Sequence, residues 1–119
     1  MCAAFAAALL ATQAIAQVSP RWRTCTGSPD VGWDQQIKSC TALIQSKKEP
    51  QRNRSGAYNN RGLAWYNKRD FDRAIADFTE AIRLEPTYAR AYSNRGSAWY
   101  AKGDLDRAIT DYTEAIRLE

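Results

Sequence analysis

The sequence predicts an all-α protein, a solenoid of about two and a half helix-turn-helix repeats. The segment 57–85, AYNNRGLAWYNKRDFDRAIADFTEAIRLE, returns at 91–119 with 22 of 29 positions identical. Within each copy the apolar residues recur at three- and four-residue steps, as they do along one face of a helix. A single hairpin of such helices cannot cover its own apolar face, whereas stacked copies can. The repetition therefore predicts a stack.

The first 16 residues differ from the rest and are predicted to be a signal peptide. They are apolar and uncharged, and they end in the A-x-A pattern Ala14-Ile15-Ala16, which is typical of a secretory cleavage site. No Lys or Arg precedes the apolar run, so a retained anchor and an ordinary core helix stay open as alternatives. The stretch is shorter than the roughly 20 residues of a membrane-spanning helix. We expect an exported chain, periplasmic or secreted, with no stable membrane anchor after cleavage.

Cleavage at that site would remove Cys2 and leave two cysteines, Cys25 and Cys40. An even number of cysteines in an exported protein favours a disulfide. Closing a loop of about 15 residues stabilises a fold by roughly 3 kcal/mol in the chain-entropy description. The alternative is two unrelated buried thiols.

Three segments precede the repeats. We expect an irregular segment over 17–33, because prolines and glycines interrupt it and make a helix unfavourable. Apolar residues at helical spacing predict a helix over 34–46, and this stretch aligns with 72–84 as a degenerate half-repeat. The polar run 47–54 contains Pro50 and is predicted to be a linker.

The repeats span 55–88 and 89–119, and each is predicted to be two helices joined by a short turn. In the first repeat Asp70 is suited to cap the second helix, and Pro86 ends it. Gly62 and its equivalent Gly96 are expected to face the partner helix and to permit close approach.

Large side chains and charges complete the predicted hairpins. We expect Trp65 with Phe78, and Trp99 with Tyr112, to fill the space around the glycines. Arg73 stands four residues before Asp77 and is a candidate partner for it. Arg61 and Arg95 are also candidates, as partners between helices for Asp77 and Asp111.

This unit resembles the tetratricopeptide repeat (TPR). The signature positions of that family are held by Tyr58, Gly62, Trp65, Ala74, Phe78, Ala81 and Pro86, then by Tyr92, Gly96, Trp99, Ala108, Tyr112 and Ala115. Arg61 and Arg95 depart from the leucine that is commonest there, and a second terminal proline is missing. We expect an exported bacterial-type TPR protein, in which the cysteine pair ties the N-terminal segment to the first helix while Trp22 and Trp33 pack over the exposed end.

The resemblance implies a concave groove lined by the first helix of each repeat. Its residues would be Gly56, Asn59, Asn60, Leu63, Tyr66, Asn67, Arg90, Ser93, Asn94, Ser97, Tyr100 and Ala101. Asn60 and Asn94 are equivalent, and a row of side-chain amides can hold an extended peptide backbone. The alternative is that the asparagines satisfy neighbouring groups and the tyrosines are packing residues. A chaperone-type carboxylate clamp is not expected, since only Arg90 matches its basic positions.

The leading functional hypothesis is a non-catalytic module that binds an extended segment of another protein. Because the chain is net basic, an acidic segment is compatible with this hypothesis. The chain has no histidine and no glycine-rich phosphate loop, so we expect no enzyme, cofactor or metal. The alternative is a self-associating scaffold that stacks through its uncapped C-terminal helix. Nucleic-acid binding is not expected, because acidic residues intersperse the basic ones and the chain is expected to be exported.

Overall fold

The computed structural model describes residues 19–119, which form six α-helices and no strand. In chain order the helices α1 to α6 are Pro20–Thr26, Trp33–Gln45, Gln51–Asn67, Phe71–Leu84, Ala89–Ala101 and Leu105–Leu118. The all-α prediction is confirmed for this part of the chain. The predicted signal peptide, 1–16, lies outside the described residues. From residue 19 onward, no helix combines the length and the apolar character that crossing a membrane requires.

The helices form three stacked hairpins, α1–α2, α3–α4 and α5–α6. Within the stack each second helix contacts the first helix of the next hairpin, so α2 lies against α3 and α4 against α5. Asp70 and Asp104 cap α4 and α6, each accepting a 3.1 Å hydrogen bond from the backbone amide three residues on. These caps fix where the second helices begin, as the sequence predicts for Asp70.

The two helices of each repeat approach closely at a glycine. A methyl group added to Gly62 would lie 2.6 Å from Cε1 of Phe78, and one added to Gly96 would lie 3.0 Å from Cε1 of Tyr112. Contacts this short confirm that both glycines face the partner helix. In the first hairpin a cysteine pair lies at the crossing instead. The sulfur atoms of Cys25 and Cys40 lie at bonding distance, with the Cα atoms 4.8 Å apart, which is the geometry of a disulfide.

An arginine–aspartate ion pair joins the two helices of each repeat. Both oxygens of Asp77 accept hydrogen bonds from Arg61, at 2.7 and 2.8 Å. This hydrogen bonding raises the pKa of Arg61 above its usual value, against the opposing effect of burial. The predicted partnership of Arg61 with Asp77 is therefore confirmed. The candidate pair of Arg73 with Asp77 is wrong, because Arg73 contacts the capping Asp70 instead.

Arg95 repeats this arrangement with Asp111, at 2.8 Å for both hydrogen bonds. The prediction of that partner is confirmed as well. Each aspartate is nearly buried and each arginine is about one-fifth exposed. Each carboxylate that folding removes from water is therefore paired with a guanidinium, which offsets the cost of burying its charge.

Two boundary predictions at the N-terminal side are wrong. The segment expected to be irregular, 17–33, contains α1, because Ser19 caps it and Pro20 occupies its first turn, where proline is tolerated. The chain turns at Gly27, whose φ of 79° favours glycine. The predicted linker, 47–54, ends early, because Pro50 precedes α3 rather than interrupting it.

The two tryptophans near the N-terminus differ in environment. Trp22 packs against the buried cluster of Cys25, Cys40, Leu43 and Ala57. Since Ala57 belongs to α3, Trp22 lies toward the next hairpin, and the expectation that it covers the exposed end is not confirmed. Trp33 opens α2 and stays 50% exposed, so the expectation that it covers the same end is wrong.

Candidate peptide-binding groove

The first helices of the two repeats, α3 and α5, contact each other and present the predicted groove residues. The set on α3 is Asn59, Asn60, Leu63, Tyr66 and Asn67, and the set on α5 is Arg90, Ser93, Asn94, Ser97 and Tyr100. The three- and four-residue spacing of each set follows one side of its helix. The two sets therefore meet across the boundary between the repeats.

One small pocket gathers four of these residues. Leu63 and Tyr66 from α3 and Asn94 and Ser97 from α5 line a volume of about 110 Å³. The pocket exists only because the two repeats are stacked, since neither helix supplies all its walls. It combines an apolar side with an amide and a hydroxyl, which is the mixture found in sites that fix a ligand's orientation.

Asn59 is buried and supports Asn94 rather than lining the groove itself. It is only 1% exposed, and its Oδ1 accepts a 2.9 Å hydrogen bond from Nδ2 of Asn94. The expectation that Asn59 contacts a ligand is therefore wrong for this arrangement. A buried amide needs a hydrogen-bond partner, and Asn94 supplies it from the next repeat.

The remaining polar residues of the predicted groove differ in burial and in hydrogen bonding. Asn60 is half-buried, and its backbone carbonyl accepts a 3.5 Å contact from the side chain of Gln36. The hydroxyl of Ser97 donates to the carbonyl of Ser93 at 3.2 Å and lies 2.9 Å from the hydroxyl of Tyr112. Asn67 and Arg90 are exposed. The equivalence of Asn60 and Asn94 in the sequence therefore does not extend to their environments.

The two groove tyrosines also differ. Tyr66 packs against the core and meets the ring of Phe71 edge-on, with centroids 5.3 Å apart. Tyr100, its equivalent, is 63% exposed. Tyr66 thus combines packing with a place in the pocket wall, whereas Tyr100 is open to a partner.

A second pocket lies at the other end of α3 and was not predicted. Arg52, Gly56, Glu85 and Tyr88 enclose about 200 Å³. Burial raises the pKa of the Tyr88 phenol above its usual value. The neutral phenol can donate a hydrogen bond. Gly56 is a predicted groove residue, but Arg52 falls within the segment that sequence reasoning assigned to a linker. The extra turn at the start of α3 brings it to the site.

The described part of the chain, residues 19–119, offers no group of three or more histidine, cysteine, aspartate or glutamate side chains that could hold a metal ion. The arrangement instead provides hydrogen-bond donors and acceptors, an apolar pocket wall, and the exposed cations Arg52 and Arg90. These groups suit binding of a polypeptide segment.

A stack of helical hairpins with a groove along its first helices defines a repeat scaffold of the protein-interaction class. The profile of the tetratricopeptide repeat matches residues 59–118, half of the chain. The chain therefore belongs to the tetratricopeptide repeat family. No curated protein sequence matches it significantly.

Solved structures of the same family are similar in fold. The second TPR domain of Spaghetti (RPAP3), bound to the HSP90 peptide SRMEEVD, matches with a TM-score of 0.66 and 28% identity over 73% of this chain and 77% of that one. The first TPR domain of Spaghetti, bound to the same peptide, matches with a TM-score of 0.67 and 30% identity over 73% of this chain and 66% of that one.

MamA is similar in fold at 24% identity, with a TM-score of 0.65. The match covers 72% of this chain and 48% of MamA, so the chain spans about half of that protein.

Proposed function

We propose that this protein is a non-catalytic interaction module that binds an extended segment of another protein along α3 and α5. The observation that supports this most directly is the pocket shared by Leu63, Tyr66, Asn94 and Ser97. Its volume of about 110 Å³ suits one small aliphatic side chain of a bound segment.

The hydrogen bond from Asn94 to Asn59 assigns a role to the Asn94 amide. Because Nδ2 of Asn94 donates to the buried partner, Oδ1 of Asn94 is left to accept a hydrogen bond from a ligand. A backbone N–H of an extended segment is such a donor, and every residue except proline has one. Asn94 would therefore fix the position of the segment without dictating its sequence.

The relatives support a peptide partner of acidic character. The Spaghetti domains hold a peptide that contains two glutamates and an aspartate. Arg52 and Arg90 each follow the first residue of their helices, α3 and α5, and so lie toward the same end of the groove. Glu85 also lies at this end, in the pocket with Arg52, so two cations face one carboxylate. An acidic segment would still meet net positive charge there, with an affinity that decreases as salt is added.

We also propose that the chain is exported and that Cys25 and Cys40 form a disulfide in the mature protein. The apolar start of the sequence and the bonding geometry of the cysteine pair support this together. Intact mass of the protein recovered from a bacterial periplasm tests both statements. A mass beginning at Gln17 and lower by two hydrogens is the expected result, and a full-length chain with two free thiols would contradict it.

The groove is tested with a phage-displayed library of linear peptides, selected on the chain that begins at Gln17. We expect enriched peptides to lose binding when Asn94 is replaced by alanine, because the acceptor for the backbone is removed. The expected loss is about tenfold, equal to roughly 1.4 kcal/mol, the size of a well-placed hydrogen bond. Fluorescence anisotropy of a labelled peptide measures it.

Glu80→Gln is the matched control, because Glu80 lies on α4 and, among residues 19–119, its ion-pair partner is Arg83 on the same helix. It should bind like the parent chain. Circular dichroism verifies that the Asn94→Ala chain keeps its helices. Peptides that bind the folded Asn94→Ala chain with unchanged affinity would show that the site is elsewhere.

A further inference from the structure

The outward face of α6, on the side away from α4, is an open groove with exposed apolar residues. Ile109 is 63% exposed and Ile116 is 73% exposed. Together with Tyr92, Arg95 and Thr113, Ile109 lines a groove of about 520 Å³ between α5 and α6. This face is distinct from the peptide groove along the first helices.

The equivalent face of the preceding repeat, on α4, is covered by α5. The contacts of α5 with α4 indicate which side chains a helix bound to α6 would need. There α5 lies on α4, and Ala98 packs with Ala74 and Phe78 in a buried cluster. Nη1 of Arg95 donates a 3.2 Å hydrogen bond to Oγ1 of Thr79. At the end of the same helix Lys102 forms an ion pair with Asp72.

The boundary between the first and second hairpins repeats these polar contacts. Nη1 of Arg61 donates to Oγ1 of Thr41 at 3.1 Å, and Lys68 pairs with Asp34. Ala64, three residues after Arg61, is fully buried as Ala98 is. Both incoming helices thus carry arginine, alanine and lysine at the same spacing, in RGLAWYNK and RGSAWYAK.

The acceptors of these contacts occur a third time on α6. The 34-residue repeat carries Asp72 onto Asp106 and Thr79 onto Thr113. Asp106 has no ion-pair partner among the described residues, and Thr113 only donates to a carbonyl of its own helix. Asp106, Thr113 and the exposed isoleucines form one surface, which we name the α6 face.

We propose that the α6 face binds a helical hairpin whose first helix carries arginine, alanine and lysine at positions i, i+3 and i+7, with that stripe not already covered. The 34-residue repeat carries Ala74 and Phe78 onto Ala108 and Tyr112, so the alanine would lie over these two, with Ile109 beside them. A side chain larger than alanine would hold the helices apart. The arginine would donate to Thr113, and the lysine would pair with Asp106. These three contacts fix both the partner's orientation and its register.

A second intact copy of the chain does not fit this description. Its two stripes of the required pattern are already engaged within the chain, through Arg61 and Lys68 in one and Arg95 and Lys102 in the other. The α6 face therefore favours a hairpin whose stripe is uncovered over the self-association that the sequence suggested.

The probe for this proposal is a synthetic, fluorescently labelled peptide of residues 86–119 that carries Ile109→Lys. It has the stripe of α5 uncovered, while the substitution prevents its own α6 face from binding a further copy. We expect it to bind the chain saturably and to gain helicity on binding, as followed by anisotropy and circular dichroism. In the chain, Ile109→Lys should weaken binding about tenfold or more, because a charge would then be buried in the contact. Asp106→Asn should weaken it about two- to fivefold, as is usual for an exposed ion pair.

The controls separate the α6 face from other surfaces. Both substituted positions are exposed, so the variants should fold, which circular dichroism verifies, and Glu80→Gln should bind the probe like the parent. A probe carrying Ala98→Glu should not bind. Absence of saturable binding, equal binding by the folded Ile109→Lys chain, or a concentration-dependent dimer of the chain alone by light scattering would each overturn the proposal.

Discussion

Position 62 accepts a hydrogen atom and nothing larger. The neighbouring atoms are those of Phe78, which is fully buried and cannot move into solvent. Position 56, six residues earlier in the same helix, has its nearest neighbour 4.0 Å away, at the ring of Trp22. The two glycines of α3 therefore have different reasons for being there, since only one is required by its surroundings.

We predict opposite effects on stability for alanine at these two positions. Gly62→Ala should lower the free energy of unfolding by about 1–3 kcal/mol, because the clash with Phe78 outweighs the gain in helix propensity. Gly56→Ala should raise it by up to about 1 kcal/mol, since only the propensity gain remains. Urea unfolding followed by circular dichroism measures both.

The comparison contains its own check, because both changes are the same substitution in one helix. If both variants were stabilised to a similar degree, the close approach at Gly62 would be incorrect. A Gly62→Ala chain that also carries Phe78→Leu should recover part of the lost stability, since the smaller side chain can withdraw from the added methyl group.

Some residue roles follow directly from the sequence and others do not. The cap at Asp70 and the pair of Arg61 with Asp77 follow from spacing, because a helix start and a charge on a facing stripe leave few other partners. The burial of Asn59 does not follow. Asn59 lies near the boundary with the next repeat. Whether its side chain faces the groove or the neighbouring helix depends on the distance between α3 and α5, which the sequence does not give.

At the scale of the element, the first hairpin has a cysteine pair at the crossing of its helices, with the geometry of a disulfide. Where the repeats use a glycine against an aromatic ring, α1 and α2 bring Cys25 and Cys40 together, both with no exposed surface. The helix α1 has only seven residues, too few to be stable by itself. The cysteine pair and Trp22 are what hold it against α2.

We predict that replacing the two cysteines, and with them the proposed disulfide, destabilises the chain by roughly 3 kcal/mol, the chain-entropy effect of a loop of about 15 residues. The variant is Cys25→Ala with Cys40→Ala, and the measurement is urea unfolding under oxidising conditions. The parent chain treated with a reductant serves as the comparison. Equal stability of the parent chain with and without reductant would contradict the prediction.

The helix α1 was missed because proline and glycine are ambiguous in sequence. Pro20 stands in the first turn, where a missing N–H costs nothing, and Gly27 stands just after the last one. The same residues within a longer helix would break it, so composition alone predicted an irregular segment. The Ser19 cap just before Pro20 was the signal that could have located the helix.

At the scale of the whole molecule, the sequence predicts the stacking of the hairpins but not the pocket between them. A period of 34 residues requires stacking, and the stack is present. The groove follows from the stack, since first helices meet first helices. The pocket itself depends on which side chains meet across a boundary, and a periodicity cannot supply that distance.

We predict that protection of backbone amides from hydrogen exchange is greater in α4 than in α6. Helix α4 contacts α3 on one side and α5 on the other, whereas α6 has only α5 as a large neighbour among the described helices. In a stack each unit is stabilised mainly by its neighbours. Exchange followed by mass spectrometry tests this, and equal protection of α4 and α6 would contradict it.

The hydrogen bond between Asn59 and Asn94 joins the proposed binding pocket to the contact between two repeats. One partner is buried in one repeat, and the other lines the pocket from the next repeat. A segment that forms a hydrogen bond with the Asn94 amide would therefore contact a residue that also joins two hairpins. If the proposed segment binds there, we expect the contact between the two hairpins to be held more firmly, because the same amide would then contact both the segment and the neighbouring repeat.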